Sequence, residues 1–286
     1  MVFKNSALDL VGETPILRLS KTEAARGIPA ELFAKLEFYN PFAAMQDRIA
    51  IAIGKEAEEL NATSQTMLYA WGYGDCILSL AFYAAICGNP FHLVMPDTDN
   101  PSNIELASYY AAEVELVYMA SAESGLSYAK SLAEEDSNGV FIDLGKLKEQ
   151  THYFSTAPEI WRDTNGEIDV LVAHLTYADD LSGMYQFFKD QERNVRVFGA
   201  TYEELYEEAI DQTIEDCFDE LISIDIDEVY EEQDILARTE GLMLGLSSVA
   251  AICAALELAA KPEFAGSKIV CLLSEGGYMR FLDMQY

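Results

Sequence analysis

The sequence predicts an α/β fold in which parallel β-sheets are flanked by helices. Apolar, strand-like runs alternate with helix-like segments along most of the chain, and this order is typical of parallel sheets. With 286 residues, of which 50% are hydrophobic, the chain can bury a large core and suits one large or two modest α/β domains. We find no internal repeat and no low-complexity linker, so two α/β lobes are the simplest division.

The predicted strands are short runs rich in β-branched, aliphatic and aromatic residues. The first follows Thr14-Pro15, and the last immediately precedes Ser274-Glu275. In chain order the predicted strands are 16–19, 31–38, 66–71, 91–95, 114–117, 140–143, 168–173, 195–200 and 268–273. Turns that follow such strands, at the carboxyl edge of a sheet, are where open α/β sheets bind ligands.

The predicted helices follow these strands. They are the segment from Gln46 to about residue 60, and the segments 76–87, 103–112, 121–135, 151–162, 180–187 and 241–259. The stretch from 197 to 237 contains no Lys or Arg and many acidic residues, yet Leu205, Ile210, Ile214, Phe218 and Leu221 recur at helix-like spacing. We therefore expect this stretch to be folded rather than a disordered tail.

Composition and charge exclude several functions. The net charge of −31 argues against nucleic acid and against an anionic membrane surface as partners. The sequence has no run of 18 or more apolar residues, and its N-terminus lacks the apolar core of a signal peptide, so we expect a cytoplasmic protein. The five cysteines have no metal-type spacing and are expected to be reduced thiols, with Cys253 and Cys271 in the core.

The acidic segment 203–234 has two interpretations. It can be a solvated acidic face, or it can be a docking surface for a basic protein partner.

Several motifs resemble the cysteine synthase family, the fold-type II enzymes that depend on pyridoxal phosphate (PLP) and belong to the tryptophan synthase β-like superfamily. The opening strand 11–19 and the segment 34–49, with Asn40-Pro41 and Asp47-Arg48, are similar to family motifs. Met95-Pro96, the run 152–161 and the stretch from Glu240-Gly241 to Ser247-Ser248 fit in order and spacing.

This resemblance implies the two-domain fold-type II architecture, with a cofactor cleft between the domains and a homodimer. The larger domain would contain 1–38 and 148–286, and the smaller domain 39–147.

The same resemblance places Gln46 where the family holds PLP as a Schiff base on a lysine, just before the Asp-Arg pair. The lone pair of an amide nitrogen is delocalised into its carbonyl, so Gln46 cannot act as the nucleophile that forms this bond.

Other family motifs are also altered. The glycine-rich phosphate loop, which uses bare backbone at a helix N-terminus, matches 174–180, where Tyr177, Asp179 and Asp180 stand. At an effective dielectric of about 20, each unit-charge pair at ~4 Å would repel phosphate by roughly 4 kcal/mol. Asp75 falls in the stretch that matches the family's loop for the substrate carboxylate, and the family's serine that meets the pyridine nitrogen matches Glu275 or Gly276. Glu275 could pair with a protonated pyridine ring.

From these substitutions we expect a pseudoenzyme with a binding, regulatory or scaffolding role and without PLP as cofactor. The alternative is a PLP-independent enzyme that uses the cleft for acid-base or nucleophilic chemistry on a small molecule. Its candidate catalytic residues are Asp75, Cys76, His152, His174 and Tyr177. His174 with Asp179 and Asp180 could ligate a divalent cation, although we expect no metal site. Each of these side chains also has a purely structural interpretation.

Overall fold

The protein is described by a computed structural model that covers residues 3–74, 76–110, 112–118, 122–175, 178–203 and 217–277, without the side chains of residues 122, 149 and 178–180. The chain forms two compact units, each made of two stretches. The smaller unit consists of Met1–Val11 and Gln46–Thr151, and the larger unit of Gly12–Met45 and His152–Tyr286. The domain boundaries expected at 38/39 and 147/148 stay a prediction.

The strands are β1 (Ile16–Arg18), β2 (Glu31–Leu36), β3 (Met67–Trp71), β4 (Phe91–Pro96), β5 (Glu113–Val117), β6 (Gly139–Phe141), β7 (Val170–His174), β8 (Arg196–Tyr202), β9 (Glu220–Ile224) and β10 (Lys268–Leu273). The helices are α1 (Ser20–Arg26), α2 (Ile49–Glu59), α3 (Cys76–Cys87), α4 (Pro101–Tyr109), α5 (Ala122–Glu135), α6 (Leu144–Phe154), α7 (Thr156–Asp163), α8 (Ala178–Lys189), α9 (Ile226–Thr239) and α10 (Leu246–Ala259).

The larger unit is built on a six-stranded sheet with the order β1-β2-β10-β7-β8-β9. Its strands are parallel except β1, which pairs antiparallel with β2 at one edge. Successive residues of β7 and β10 face opposite sides of the sheet. Val170 and Cys271 pack in the hydrophobic cluster that contains α10. Leu171 and Val270 pack in a second cluster on the other side. A sheet buried on both faces explains why these strands are continuous apolar runs.

The smaller unit has a four-stranded, fully parallel sheet with the order β5-β4-β3-β6. Helix α3 is apolar around its whole circumference, and its residues Cys76 to Ala84 are all buried. Helix α5 packs on β3 at Trp71 and Ala129. The predicted class, an α/β fold with parallel sheets flanked by helices, is confirmed.

Several predicted helices have different limits in the structure. The predicted helix 151–162 is interrupted at Ser155, which separates α6 from α7. Pro158 explains the break: it lies in the first turn of α7, where its missing N–H costs nothing, whereas in a continuous helix its ring would clash with the preceding turn. Helix 241–259 begins only at Leu246, because Gly241, with φ 73°, terminates α9 in the left-handed conformation. Helix 103–112 is instead Pro101–Tyr109.

In the acidic segment, the helix-like spacing predicted one structure where the chain has two. Leu221 lies in β9, which pairs with β8, and the following helix α9 begins at Ile226. Leu205, Ile210 and Ile214 lie outside the described residues. The apolar spacing missed the change because a buried edge strand and an amphipathic helix both place apolar residues a few positions apart.

The predicted core thiols are confirmed. Cys253 and Cys271 are 1% and 0% exposed, and burial raises the pKa of both, to about 12 for Cys271.

Among the described residues, no helix is long and apolar enough to cross a membrane.

Candidate functional site

The carboxyl end of β10 is held between two other segments of the larger unit. On one side Ala44 forms a β-bridge with Glu275, and Met45 N donates to Ser274 O at 3.0 Å. On the other side Leu244 bridges Gly276. Because β10 lies between β2 and β7 in the centre of the sheet, this position is the edge where α/β sheets bind ligands.

Glu275 is fixed there by two serines at the start of α10. Its backbone N–H donates to Ser248 Oγ at 3.1 Å, and Ser248 Oγ donates to the Glu275 carbonyl at 2.9 Å. Ser247 Oγ donates to Glu275 Oε1 at 2.9 Å. The carboxyl group packs directly on Gly245, where an added Cβ would lie 2.4 Å from Glu275 Oε1. The side chain therefore has one defined position.

The segment that leads to Ala44 is fixed by buried polar contacts. Glu37, which is 0% exposed, accepts hydrogen bonds from Thr14 Oγ1 at 2.7 Å and from Asn40 Nδ2 at 3.2 Å. Asn40 Oδ1 in turn accepts from Gly12 N at 2.8 Å. These contacts explain why the Asn40-Pro41 turn directs the chain toward Glu275.

Lys35 on β2 is the most deeply buried lysine of this unit. Its Nζ donates to Glu159 Oε2 at 2.9 Å, to Asp163 Oδ2 at 3.3 Å and to Thr14 O at 2.7 Å. Since an ammonium has three donors, all of them are used. Lys35 is therefore a structural cation.

Gln46 follows Met45 directly and belongs to the smaller unit. It lies in a short 3-10 turn, Met45–Arg48, that leads into α2, and it is 6% exposed. Ser79 Oγ of α3 donates to the Gln46 carbonyl at 2.6 Å. The backbone at this position is thus held in place.

The turn between β3 and α3 carries Tyr73, Gly74 and Cys76. Gly74 N donates to Asp99 Oδ2 at 2.9 Å, and Cys76 Sγ donates to Tyr73 O at 3.0 Å. The Lys148 ammonium lies 5.8 Å from the centre of the Tyr73 ring, within the range of a cation–π contact. Asp75 lies outside the described residues.

The two predicted histidines of the larger unit are buried or nearly so. His152 is 0% exposed, and its Nδ1 is 2.8 Å from Thr156 Oγ1. His174, at the end of β7, has its ring 4.8 Å from the Tyr202 ring. Burial lowers the pKa of His174 to about 4, so the imidazole is neutral at pH 7.

We expect His174 to make folding sensitive to mild acid. The pKa of His174 is about 4 in the folded state and near 6.5 in the unfolded state. Its contribution to the free energy of unfolding is therefore complete above pH 6.5 and is lost as the pH falls toward 4. Between pH 7 and pH 5 the loss should be about 2 kcal/mol. Urea unfolding of the wild type and of His174→Asn at both pH values measures it: the wild type should lose about 2 kcal/mol more than the variant.

His92→Asn controls for the removal of an imidazole from another strand, β4. If His174→Asn and the wild type lose the same stability on acidification, the pKa assignment of His174 is wrong.

The remaining predicted residues are only partly described. Tyr177 lies outside the described residues, and Asp179 and Asp180 lie in the first turn of α8 with side chains outside them. In the part of the chain that the structure describes, no group of three His, Cys, Asp or Glu residues could hold a metal ion. Of the other predicted residues, Gln46 and Cys76 belong to the smaller unit, and His152, His174 and Glu275 to the larger.

The fold is that of the fold-type II enzymes. The cysteine synthase of Entamoeba histolytica superposes with a TM-score of 0.81 at 24% identity, covering 99% of this chain and 90% of that one. The cystathionine β-synthase of Bacillus anthracis superposes with a TM-score of 0.80 at 24% identity, covering 96% of this chain and 100% of that one. At these identities the likeness concerns the fold.

Residues 7–275 match the family described as pyridoxal-phosphate dependent enzyme, and the chain belongs to this family. Relatives include cysteine synthase 3 of Caenorhabditis elegans, 27% identical over 92% of this chain and 84% of its own length. Cysteine synthase B of Salmonella typhimurium is 28% identical over 96% of this chain and 93% of its own length. The predicted resemblance to the cysteine synthase family is confirmed.

The expectation that the chain uses no cofactor is wrong, because the family is PLP-dependent and PLP is the cofactor expected for this chain. The expectation relied on Gln46 at the position of the Schiff-base lysine, on the changed residue at the ring nitrogen, and on repulsion from Asp75, Asp179 and Asp180, whose side chains are not described. PLP supplies an electron-withdrawing ring for chemistry on amino acids.

Sequence reasoning missed the residues that support Glu275. Ser247 and Ser248 were noted only as part of the family resemblance, and Gly245 was not singled out. The Ser-Ser pair at a helix start was the available signal, but nothing in the sequence shows that Ser247 and Ser248 contact a residue 28 and 27 positions later.

Proposed function

We propose that this protein is a cysteine synthase-like pseudoenzyme that binds PLP, or a PLP-type ligand, without forming a Schiff base. The observation that carries the proposal is Gln46, a buried amide at the position where the family resemblance places the lysine. An amide does not add to an aldehyde to form an imine. The buried Lys35 offers no substitute, since its ammonium is enclosed by Glu159 and Asp163.

The carboxyl end of β10, where Ser247 and Ser248 fix Glu275, supports the proposal of ligand binding. Glu275 and Ser247 would hold the ring nitrogen. Gln46 can act as a hydrogen-bonding group but not as a nucleophile. Binding without turnover suits a regulatory or scaffolding role in a homodimer in the cytoplasm.

For a protein partner, we propose the acidic face of α9. Within the described part of segment 203–234, Asp225, Asp227, Glu228, Glu231 and Asp234 are all exposed. A basic partner would bind there by charge complementarity, and its affinity would fall with salt.

A catalytic role for Asp75, Cys76, His152, His174 and Tyr177 stays a prediction. Their described contacts suit structural roles, because Cys76 Sγ donates to a carbonyl and His152 Nδ1 lies beside Thr156.

Borohydride reduction tests the proposal. The wild type is incubated with PLP, reduced and mapped by peptide mass spectrometry, in parallel with Gln46→Lys. We expect the wild type to bind PLP but to release it on dialysis without a stoichiometric adduct. Gln46→Lys should gain one phosphopyridoxyl group at residue 46, because an amine then stands at the same fixed backbone position.

Gln65→Lys is the matched control, since residue 65 is exposed in a turn and reports background labelling of a new surface lysine. A one-to-one adduct on a native lysine of the wild type would contradict the proposal. The absence of any PLP binding to the wild type would contradict its binding part.

A further inference from the structure

We propose that the outer edge of β5, in the smaller unit, is a docking site for an extended segment of a partner protein in which basic and apolar residues alternate. Such a segment would add a further strand to the four-stranded sheet. This surface is different from the acidic face of α9, which belongs to the larger unit, and its use does not depend on PLP binding.

The first observation is an open sheet edge. β5 is the last strand on one side of its sheet, and among the described residues no strand pairs with its outer edge. Its inner edge pairs in parallel with β4, where the Val117 carbonyl accepts from Asp97 N at 3.2 Å. Because backbone groups point to alternate sides along a strand, those of Val114 and Leu116 point to the outer edge. They form the row of donors and acceptors that an added strand uses.

The second observation is that the face of β5 toward α5 is acidic. Glu115 Oε1 accepts from Tyr128 Oη of α5 at 2.8 Å, and Glu115 Oε2 lies 3.0 Å from His92 Nε2. Glu113 Oε2 lies 3.6 Å from His92 Nδ1, and 70% of the Glu113 side chain is exposed. Residues directly opposite each other on neighbouring strands have Cβ atoms about 5 Å apart. Basic side chains of an added strand would therefore reach these two carboxylates.

The third observation is that the opposite face of β5 is apolar. Side chains alternate along a strand, so Val114 and Leu116 point away from α5. Leu116 is 46% exposed, and Tyr118, which directly follows β5, is 87% exposed. Helix α4, which contacts β5, carries the exposed Leu106 and Tyr109. Apolar side chains of an added strand would cover part of this surface.

The charge of β5 selects its occupant. A second copy of β5, paired antiparallel about Glu115, would place this residue opposite its own counterpart, and like charges in directly opposed positions are destabilising. The net charge of −31 adds repulsion between two copies of the chain. A basic strand is attracted by the same charges. The edge therefore disfavours a second copy and favours a basic partner.

The test compares two fluorescently labelled peptides of identical composition, Lys-Val-Lys-Val-Lys-Val and Lys-Lys-Lys-Val-Val-Val, by fluorescence anisotropy. Only the first places all its basic side chains on one face of a strand and all its apolar side chains on the other. We expect the full-length protein to bind the alternating peptide at least about tenfold more tightly, because each matched cross-strand pair contributes. A surface that attracts only positive charge would bind both peptides equally.

Two further peptides test the backbone contact without changing the protein. One is the alternating peptide N-methylated at its lysines, and the other is the same peptide N-methylated at its valines. Because N–H groups point to alternate sides of a strand, only one of these peptides places its methyl groups against β5. We expect that one to lose binding and the other to retain it.

Glu113→Lys tests the charge. This variant should weaken binding of the alternating peptide by about fivefold or more, since an attraction becomes a repulsion at an exposed site. Asp227→Lys is the matched control, because it makes the same charge change at an exposed residue of α9 in the larger unit. It should leave the preference for the alternating peptide unchanged.

Equal binding of the alternating and blocked peptides overturns the proposal, as do equal affinities of the two methylated peptides. Leu116→Pro tests for a second copy as the occupant, because it removes an outward N–H, a position at which edge strands tolerate proline. If it changes the oligomeric state in sedimentation velocity without peptide, the edge joins two copies of the chain and the proposal is wrong. None of these results affects the proposed binding of PLP, which is tested separately at Gln46.

Discussion

Replacing Lys35 by Met should destabilise the protein by about 3–5 kcal/mol, the effect expected when one partner of a buried ion pair is removed. Lys35 is 0% exposed, and its ammonium is bound by Glu159 and Asp163. Methionine fills a similar volume but removes the cation that binds Glu159, whereas Asp163 keeps its ion pair with Arg162. Guanidinium unfolding monitored by tryptophan fluorescence measures the change.

Lys268→Met is the control, because Lys268 lies on the neighbouring strand β10 and forms an ion pair with the exposed Glu167. Its loss should cost less than about 1 kcal/mol. Adding Glu159→Gln to Lys35→Met should recover part of the stability, since the buried carboxylate that Lys35 neutralised is then replaced by a neutral amide. Equal effects of Lys35→Met and Lys268→Met would show that the buried network is not a major source of stability.

Replacing Gly125 by Ala should destabilise the protein by about 2 kcal/mol or more, the cost of overpacking a core contact. Gly125 lies in α5 directly over the indole of Trp71, and an added Cβ would lie 2.5 Å from three ring atoms. The rigid ring is itself 8% exposed, so the helix must move away from β3. Thermal unfolding and the near-ultraviolet circular dichroism of tryptophan would record the change.

Gly145→Ala is the matched control in α6. An added Cβ at Gly145 would meet only Asp143 Oδ1, at 3.5 Å, and the helix should gain about 0.5–1 kcal/mol from the lost backbone freedom of the unfolded state. The two glycine substitutions should therefore have opposite signs. A stabilising effect of Gly125→Ala would mean that α5 does not pack on Trp71 as described.

The sequence was sufficient to predict those strands and helices that are defined by a local pattern of residues. β10 was predicted with its observed limits, 268–273, and β4 and α3 to within one residue, because each is a continuous apolar run bounded by turn residues. The prediction failed at Leu221, because an edge strand and an amphipathic helix can have similar apolar spacing. It also failed near Pro158, because this proline divides one predicted helix into two.

The candidate site depends on contacts that no local pattern contains. Gln46 was recognisable because a motif surrounds it, whereas the support of Glu275 by Ser247 and Ser248 becomes visible only when β10 meets α10. The Lys35 network joins residues 124 and 128 positions apart. In the sequence, Lys35 is simply a charge inside an apolar strand.

The pairing of β2 with β10 affects how the protein folds during its synthesis. β2 finds its permanent neighbour only in residues 268–273, which are synthesised after the other strands of this sheet. Until then one side of β2 is covered by β1, and the other side is an apolar edge with unsatisfied hydrogen-bonding groups, a known starting point for misassembly. We therefore expect truncated chains that end before residue 268 to require a chaperone and to be degraded rapidly in cells, even when the smaller unit is complete.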